Sequence, residues 1–393
     1  MKIKRSDQLN NAEYASAIDT GLSRVFDGAP RSWRKWRRKA AATRIAVEAR
    51  DLKIVVFSDL HRGSGDGADD FRRSHRAYRA ALGWYRAQGY ELWLLGDVEE
   101  LWENSAAEVL EEYEAVLQLE KEFLGEGPGL RRFYGNHDLD WSKRARVEAV
   151  LGSWLGGTSV LESLCLEVRE DGEPLGLLFF VHGHQGTPGS DKMAWISRIA
   201  VRRVWRGVQR AQGWVATTPA QDSAIRSKHD LAMFAWAKAR AQTEAPGQRP
   251  VLVAGHTHHP VFPGTLPVVP TETELRTLRD ELANAGDSAI RARIAARVEL
   301  MAAQMWEEPY DVPAIDPPCY FNTGCCSFPD GDVTCLEFSG EMLRDPNMSD
   351  KEDGRGKIRL VRWLNNDGEP VPHELAAKSL REILSAVNAS DAR

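Results

Sequence analysis

Cysteine is scarce: five in 393 residues, an odd number, with no Cys-x-x-Cys spacing among them. A disulfide scaffold and a cysteine-based zinc site are thereby excluded, and the expected setting is a reducing, cytoplasmic one. Long apolar runs are missing too. The longest, such as Leu231 to Ala237 and Leu177 to Val181, fall far short of the roughly 20 residues that span a bilayer, and Met1 to Asn10 is polar, unlike a signal peptide. No transmembrane helix is expected. There is no internal repeat and no low-complexity tract. Net charge is small, −6, so it points to neither nucleic acid nor membrane. It conceals an asymmetry, because residues 1–50 hold 12 Lys or Arg against 5 Asp or Glu, a local +7 beside an acidic remainder. What is present is a globular composition, 42% hydrophobic and 27% charged. The length allows one large domain with insertions or two ordinary domains.

Short branched and aromatic runs alternate with helical patterns, which predicts an α/β (α+β) chain. The predicted strands are Lys53 to Phe57, Tyr90 to Leu95, Leu130 to Tyr134, Leu175 to Val181, Pro250 to Ala254 and Cys319 to Phe321. Phe71, Tyr78, Leu82 and Tyr85 predict a helix between the first two, started by Asp69 or Asp70 and stopped by Gly89. Ser105 and Glu108 have capping-box spacing, opening a helix to about Leu124. Two mainly helical insertions are expected, at 187–248 and 261–318. The second begins with a capping box at Thr271 and Glu274, continues through Leu275, Leu278 and Leu282, and turns at Gly286 into a helix through Ile290, Ile294 and Val298. Residues 1–50 read as a basic, mostly helical arm, 51–345 as the main domain, and 346–393 as a strand from Lys357 to Trp363 followed by a helix from His373 to about Val387.

Seven of the ten histidines sit just after predicted strands: His61, His137, His182, His184, His256, His258 and His259. In open α/β sheets that edge is where ligands bind, so residues distant in sequence converge there. The strings are Asp59-Leu60-His61, Gly96-Asp97, Gly135-Asn136-His137-Asp138, Val181-His182-Gly183-His184 and Gly255-His256-Thr257-His258. Extended alternation would send Asp59 and His61 to one side, and His256 and His258 likewise. The preceding glycines permit close backbone approach. Carboxylates, imidazoles and one amide oxygen, with no thiolate, suit Mn or Fe first, then Zn, Co or Ni. Seven candidate ligands, Asp59, His61, Asp97, Asn136, His182, His256 and His258, exceed one tetrahedral ion but suit two divalent ions sharing a carboxylate, with Asp97 as the natural bridge.

In type and order the five strings resemble the calcineurin-like metallophosphoesterase superfamily, over about Leu52 to Glu337. The resemblance implies a four-layer αββα sandwich. It implies one cation on Asp59, His61, Asp97 and His258, and a second on Asp97, Asn136, His182 and His256. It further implies that His137 acts on the substrate phosphate while Asp138 holds its ring. The activity implied is hydrolysis of a phosphodiester, pyrophosphate or phosphomonoester by a metal-bound hydroxide. Leu95 to Trp102 and Phe57 to His61 resemble the UDP-2,3-diacylglucosamine pyrophosphatase branch, which carries Arg where His137 stands here. Tyr134 stands where protein phosphatases place Arg, and Glu100 where purple acid phosphatases place a Tyr ligand.

The expected substrate is therefore a phosphorylated small molecule or a lipid-linked phosphate, with nucleic acid less favoured. A metal-retaining binding or scaffold protein is the non-enzymatic alternative. Arg62 beside His61, His184, and the basic stripe containing Arg198, Arg202, Arg206 and Arg210 are candidate substrate contacts. That stripe fits an anionic substrate, a peripheral contact with an anionic membrane, or a solvated face with Trp packed beneath it, whereas the patch Trp33 to Lys39 fits phosphate, headgroups or, in first place, the protein's own acidic body. His184 and His259 can also orient neighbouring ligands. His75, His229 and His373, in helical patterns, read as structural, and Cys319, Cys325, Cys326 and Cys335 as buried inert thiols.

Overall fold

Runs of Val, Leu, Ile and Phe fill the strand positions, as half- or fully buried strands require. The computed structural model describes residues 10–28, 42–157, 159–187, 223–264, 272–286 with scattered positions to 298, 315–340, 356–365 and 368–389. In chain order these form α1 (Asn11–Asp27), β1 (Thr43–Glu48), β2 (Lys53–Phe57), α2 (His75–Ala87), β3 (Glu91–Leu95), α3 (Ala106–Glu112), α4 (Glu114–Lys121) and β4 (Leu130–Phe133). There follow α5 (Arg144–Leu155), β5 (Val160–Leu161), β6 (Ser163–Glu170), β7 (Glu173–Val181), α6 (Ser223–Thr243), β8 (Pro250–Ala254) and β9 (Pro260–Val261). The last are α7 (Glu272–Asn284), β10 (Tyr320–Thr323), β11 (Val333–Ser339), β12 (Lys357–Leu364), β13 (Val371–Ser379) and α8 (Leu380–Asn388).

The strands make two mixed sheets, ordered β1-β6-β7-β8-β10-β9 and β13-β12-β11-β2-β3-β4-β5. β2, β3 and β4 run parallel, as do β7, β8 and β10, so their C-terminal ends can deliver the motif strings together. The sheets meet through Trp93 of β3 and Phe180 of β7, whose rings lie 4.7 Å apart, and through Phe180 and Phe338 of β11. On the outer side of one sheet Phe57 packs on Tyr78 and Tyr85 of α2. On the outer side of the other, Phe179 meets Phe26 of α1 and Trp236 of α6. Burying each such side chain contributes about 1.5–3 kcal/mol, more than propensity supplies to a whole exposed turn.

The capping box at Ser105 and Glu108 is present, but Tyr113 breaks the predicted helix into α3 and α4, and its hydroxyl donates to Asp69 at 2.7 Å. Three boundaries differ from expectation. The described part of the first 50 residues, 10–28 and 42–50, belongs to the core rather than to an arm: β1 pairs in parallel with β6, and Tyr14, Ile18, Leu22, Val25 and Phe26 of α1 are core residues. The expected first insertion, 187–248, takes in part of the core, because a parallel β7–β8 pair needs a crossover, and α6 supplies it with Met233, Trp236, Ala237 and Ala241 buried. Residues 188–222, with Arg198 and Arg202, lie outside the described residues, as do Trp33 to Lys39; of the second predicted helix of the 261–318 segment, Ile290, Ile294 and Val298 are helical. Finally, Val371 to Ser379 form β13 rather than a helix: the edge of β12 offers backbone partners, and pairing with it outweighs the helix propensity of Glu374 to Lys378.

Candidate metal centre

Five candidate ligands have backbones in the left-handed region: Asp59 (φ 53°), His61 (50°), Asp97 (50°), His256 (72°) and His258 (57°). Among the described residues, Asp171 is the single other non-glycine there. Each such residue costs of order 1–3 kcal/mol, which persists only where the surroundings impose it. This corrects the alternation argument: Asp59 and His61 share a side because of a bent segment, not an extended one. Asp59 N donates to Gly96 O and His61 N to Asp97 O, so the segment after β2 is pinned to the one after β3. Glycine is required where these segments touch. A Cβ on Gly135 would lie 2.1 Å from Asp97 Oδ1, and one on Gly255 would lie 2.5 Å from Asp59 Oδ2.

Two His/Asp groups result, Asp59–His61–His258 and Asp97–His182–His256, with His61–Asp97–His137 joining them. Asp59 and Asp97 are fully buried. Asp59 Oδ2 accepts from Ser58 and from the backbone N of His256, while Oδ1 lies 3.4 Å from His258 Nε2. Asp97 Oδ1 accepts from His137 N at 2.8 Å, leaving Oδ2 3.1 Å from His182 Nε2. His182 Nδ1 donates to Leu95 O at 2.9 Å, which turns Nε2 towards the carboxylate. His61 Nε2 and His258 Nε2 face each other at 3.0 Å. Asp59 Oδ1, Asn136 Oδ1 and His182 Nε2 are buried without a hydrogen-bond partner. Oxygen and nitrogen donors oriented inward and left unsatisfied fit cations, so these groups can hold metal ions.

Electrostatics follow from burying carboxylates together. Burial opposes protonation of His61, yet the Glu100 hydrogen bond and the charges of Asp97, Glu100 and Asp59 raise it to about 10. Burial likewise opposes protonation of His182, and Asp97 and Asp59 raise it to about 9. Burial would raise Asp97, but His182, His137 and His61 hold it well below the usual range. His256 is pushed down by burial and by His229 and His182.

At the shared edge, His137 Nδ1 meets Glu100 Oε2 at 2.6 Å, and His61 Nδ1 meets the same oxygen at 3.0 Å. Trp102 stacks on His137, 4.0 Å between centroids and 17° from parallel, and donates Nε1 to Asn136 O. Glu100 is thus the residue that orients His137. Burial favours its neutral form, but His137 and His61 bring it down to about 2. Asp138 does not hold the ring: its carboxylate accepts from Gly135 N at 2.6 Å and Val98 N at 2.9 Å, closing the turn beneath it. Burial and the charges of Asp97 and Glu99 push Asp138 up to about 7.

Arg62 is not a substrate contact. It is 1% exposed, paired with Glu120 and enclosed by the rings of Phe71 and Tyr78. His184 is buried beside the second group, its ring 5.4 Å from His182. His75 lies on α2 and His373 on the exposed edge strand β13. His229 is buried on α6, bonded to Tyr14 and to Gly183 O. All five thiols are buried and free, with burial pushing Cys319 and Cys325 up to about 12. Glu100 and Trp102 were not among the expected functional residues. The usable signal was their place in the string after Asp97. No helix among the described residues is long and apolar enough to cross a membrane. A scan against protein-family models and a search of curated proteins return no match to this chain.

Proposed function

We propose that this protein is a metal-dependent phosphoric ester hydrolase with a two-cation centre. The observation that carries the reading is the pair of buried His/Asp groups joined at Asp97, with His137 held at their common edge. Asp59, His61, Asp97 and His258 would hold one cation, and Asp97, Asn136, His182 and His256 the other. When bound, the cations supply Lewis-acid stabilisation of phosphoryl charge and a lowered water pKa. His137, with Nδ1 committed to Glu100, keeps Nε2 for the substrate: it can donate to a phosphoryl oxygen or protonate the leaving oxygen. The Trp102 stack and the Glu100 bond fix its ring, so orientation is prepaid. Two stacked sheets with helices outside suit the four-layer sandwich expected for such hydrolases. His137, where a UDP-lipid pyrophosphatase would carry Arg, favours general phosphoesterase chemistry over that substrate.

The test is a panel of aryl monoester, aryl diester, cyclic nucleotide and UDP-lipid substrates, with Mn²⁺ returned to EDTA-treated protein. Turnover of an aryl ester that vanishes with EDTA and returns with Mn²⁺ is expected. Turnover indifferent to EDTA would sink the mechanism, and cation binding without turnover of any substrate would favour the scaffold.

A further inference from the structure

The N-terminal helix belongs to the metal centre rather than to the periphery. α1 lies backbone to backbone on the loop after β7: a Cβ on Gly21 would be 2.4 Å from the Gln185 carbonyl carbon, and one on Gly186 2.1 Å from Ala17 O. From the same helix the Tyr14 hydroxyl reaches His229 Nδ1 at 2.8 Å, and His229 Nε2 reaches Gly183 O at 2.9 Å. A carbonyl only accepts, so Nε2 carries the hydrogen and Nδ1 accepts from the Tyr14 O–H. Burial holds His229 below the ordinary histidine range, in keeping with that neutral tautomer. Gly183 follows His182 directly, and the His229 ring lies 4.9 Å from that of His256. The link therefore ends on the group containing Asp97, His182 and His256. The backbone N–H groups of Asp59 and His61 donate instead to Gly96 O and Asp97 O, and Asp59 O accepts from Cys326 N, none of these partners lying on the loop after β7.

We propose, on the two-cation reading, that Tyr14 and His229 are positioning residues that hold the Gly183 turn so that His182 stays opposite Asp97. They set the affinity for the cation on the Asp97–His182–His256 group and leave the one on the Asp59–His61–His258 group nearly unchanged.

The experiment is titration of the EDTA-treated full chain with Co²⁺, followed by calorimetry and by the visible absorption of each bound ion. Tyr14→Phe keeps the ring and removes one hydroxyl; it should weaken one of two binding events about tenfold, and His229→Phe about 10- to 100-fold. His229→Gln retains a donor and an acceptor and should recover most of the loss. Ile18→Val, a core change on α1 that leaves the hydroxyl in place, should bind both ions as the unaltered chain does. Both events unchanged in Tyr14→Phe and His229→Phe, both weakened alike, or the same single loss in Ile18→Val would each overturn the proposal. An unaltered chain that binds no cation would overturn the two-cation reading beneath it, a result distinct from all of these.

Discussion

Glu99 and Glu100 are neighbours in sequence but belong to two buried polar regions that handle charge in different ways. Glu99 accepts from Arg132 at 2.6 and 2.7 Å and from Trp141, in a cluster with Arg62, Glu120 and Tyr78. Glu100 accepts from His61 and His137. In the first region the positive charge is guanidinium, which stays protonated at every accessible pH. In the second it is a proton on imidazole, which can be exchanged for another cation. Fixed charge makes a support; exchangeable charge makes a site.

Asp97→Ala is the largest test of this difference. It removes the one carboxylate common to both sides of the centre, so turnover should fall to background and cation stoichiometry should drop, as read by metal analysis of the purified chain. Folding should survive, because the alanine leaves imidazoles that can lose their protons. His137→Ala should retain both cations and lower turnover by about 10² to 10⁴, the span for a general acid or base. Unchanged turnover there would return the proton-transfer role to another group.

On the other side of the comparison, Arg132→Ala leaves Glu99 buried without its main partner. Such losses cost about 3–5 kcal/mol, so denaturant midpoints should fall while cation affinity per folded chain is kept. Loss of cations without loss of stability would merge the two regions. Glu100→Gln keeps the shape but not the charge; turnover should fall about 10- to 100-fold through His137, with little change in stability. A stability loss as large as that of Arg132→Ala would place Glu100 with the supports.

The strings of the centre were legible because chemistry and strand ends coincide. β2 and β8 were found at their full extents, since buried parallel strands read as continuous apolar runs, and every candidate ligand follows one. The supports were not legible. Glu100 touches His61 and His137, 39 and 37 positions away, and nothing local separates it from Glu99. Arg62 read as a phosphate contact because its neighbour His61 is a candidate ligand, whereas its partner Glu120 comes from a helix that shows only an amphipathic pattern. β13 was read as a helix because propensity is local and an open sheet edge is not. Tyr14 precedes the first motif by 45 residues, and only the packing of α1 on the Gly183 turn gives it a role.

The most gradual effect concerns the exchange itself. His61 is raised to about 10 and His182 to about 9, both above the ordinary value of about 6.5. A raised histidine favours the folded state while it holds its proton, so this contribution to the cation-free chain is full below about pH 6.5 and fades as pH rises through 9 and 10. Cation binding at His61 and His182 would displace those protons and oppose the trend. Apparent Mn²⁺ affinity should therefore climb between pH 6 and 8, by up to about tenfold per unit for each proton displaced, and binding should acidify a weakly buffered solution. Arg132 and Glu99 exchange nothing in that interval, so the Arg132→Ala chain should show the same slope. A flat affinity profile would mean that the imidazoles are already neutral, and that the charge of Asp59 and Asp97 is balanced by something other than protons.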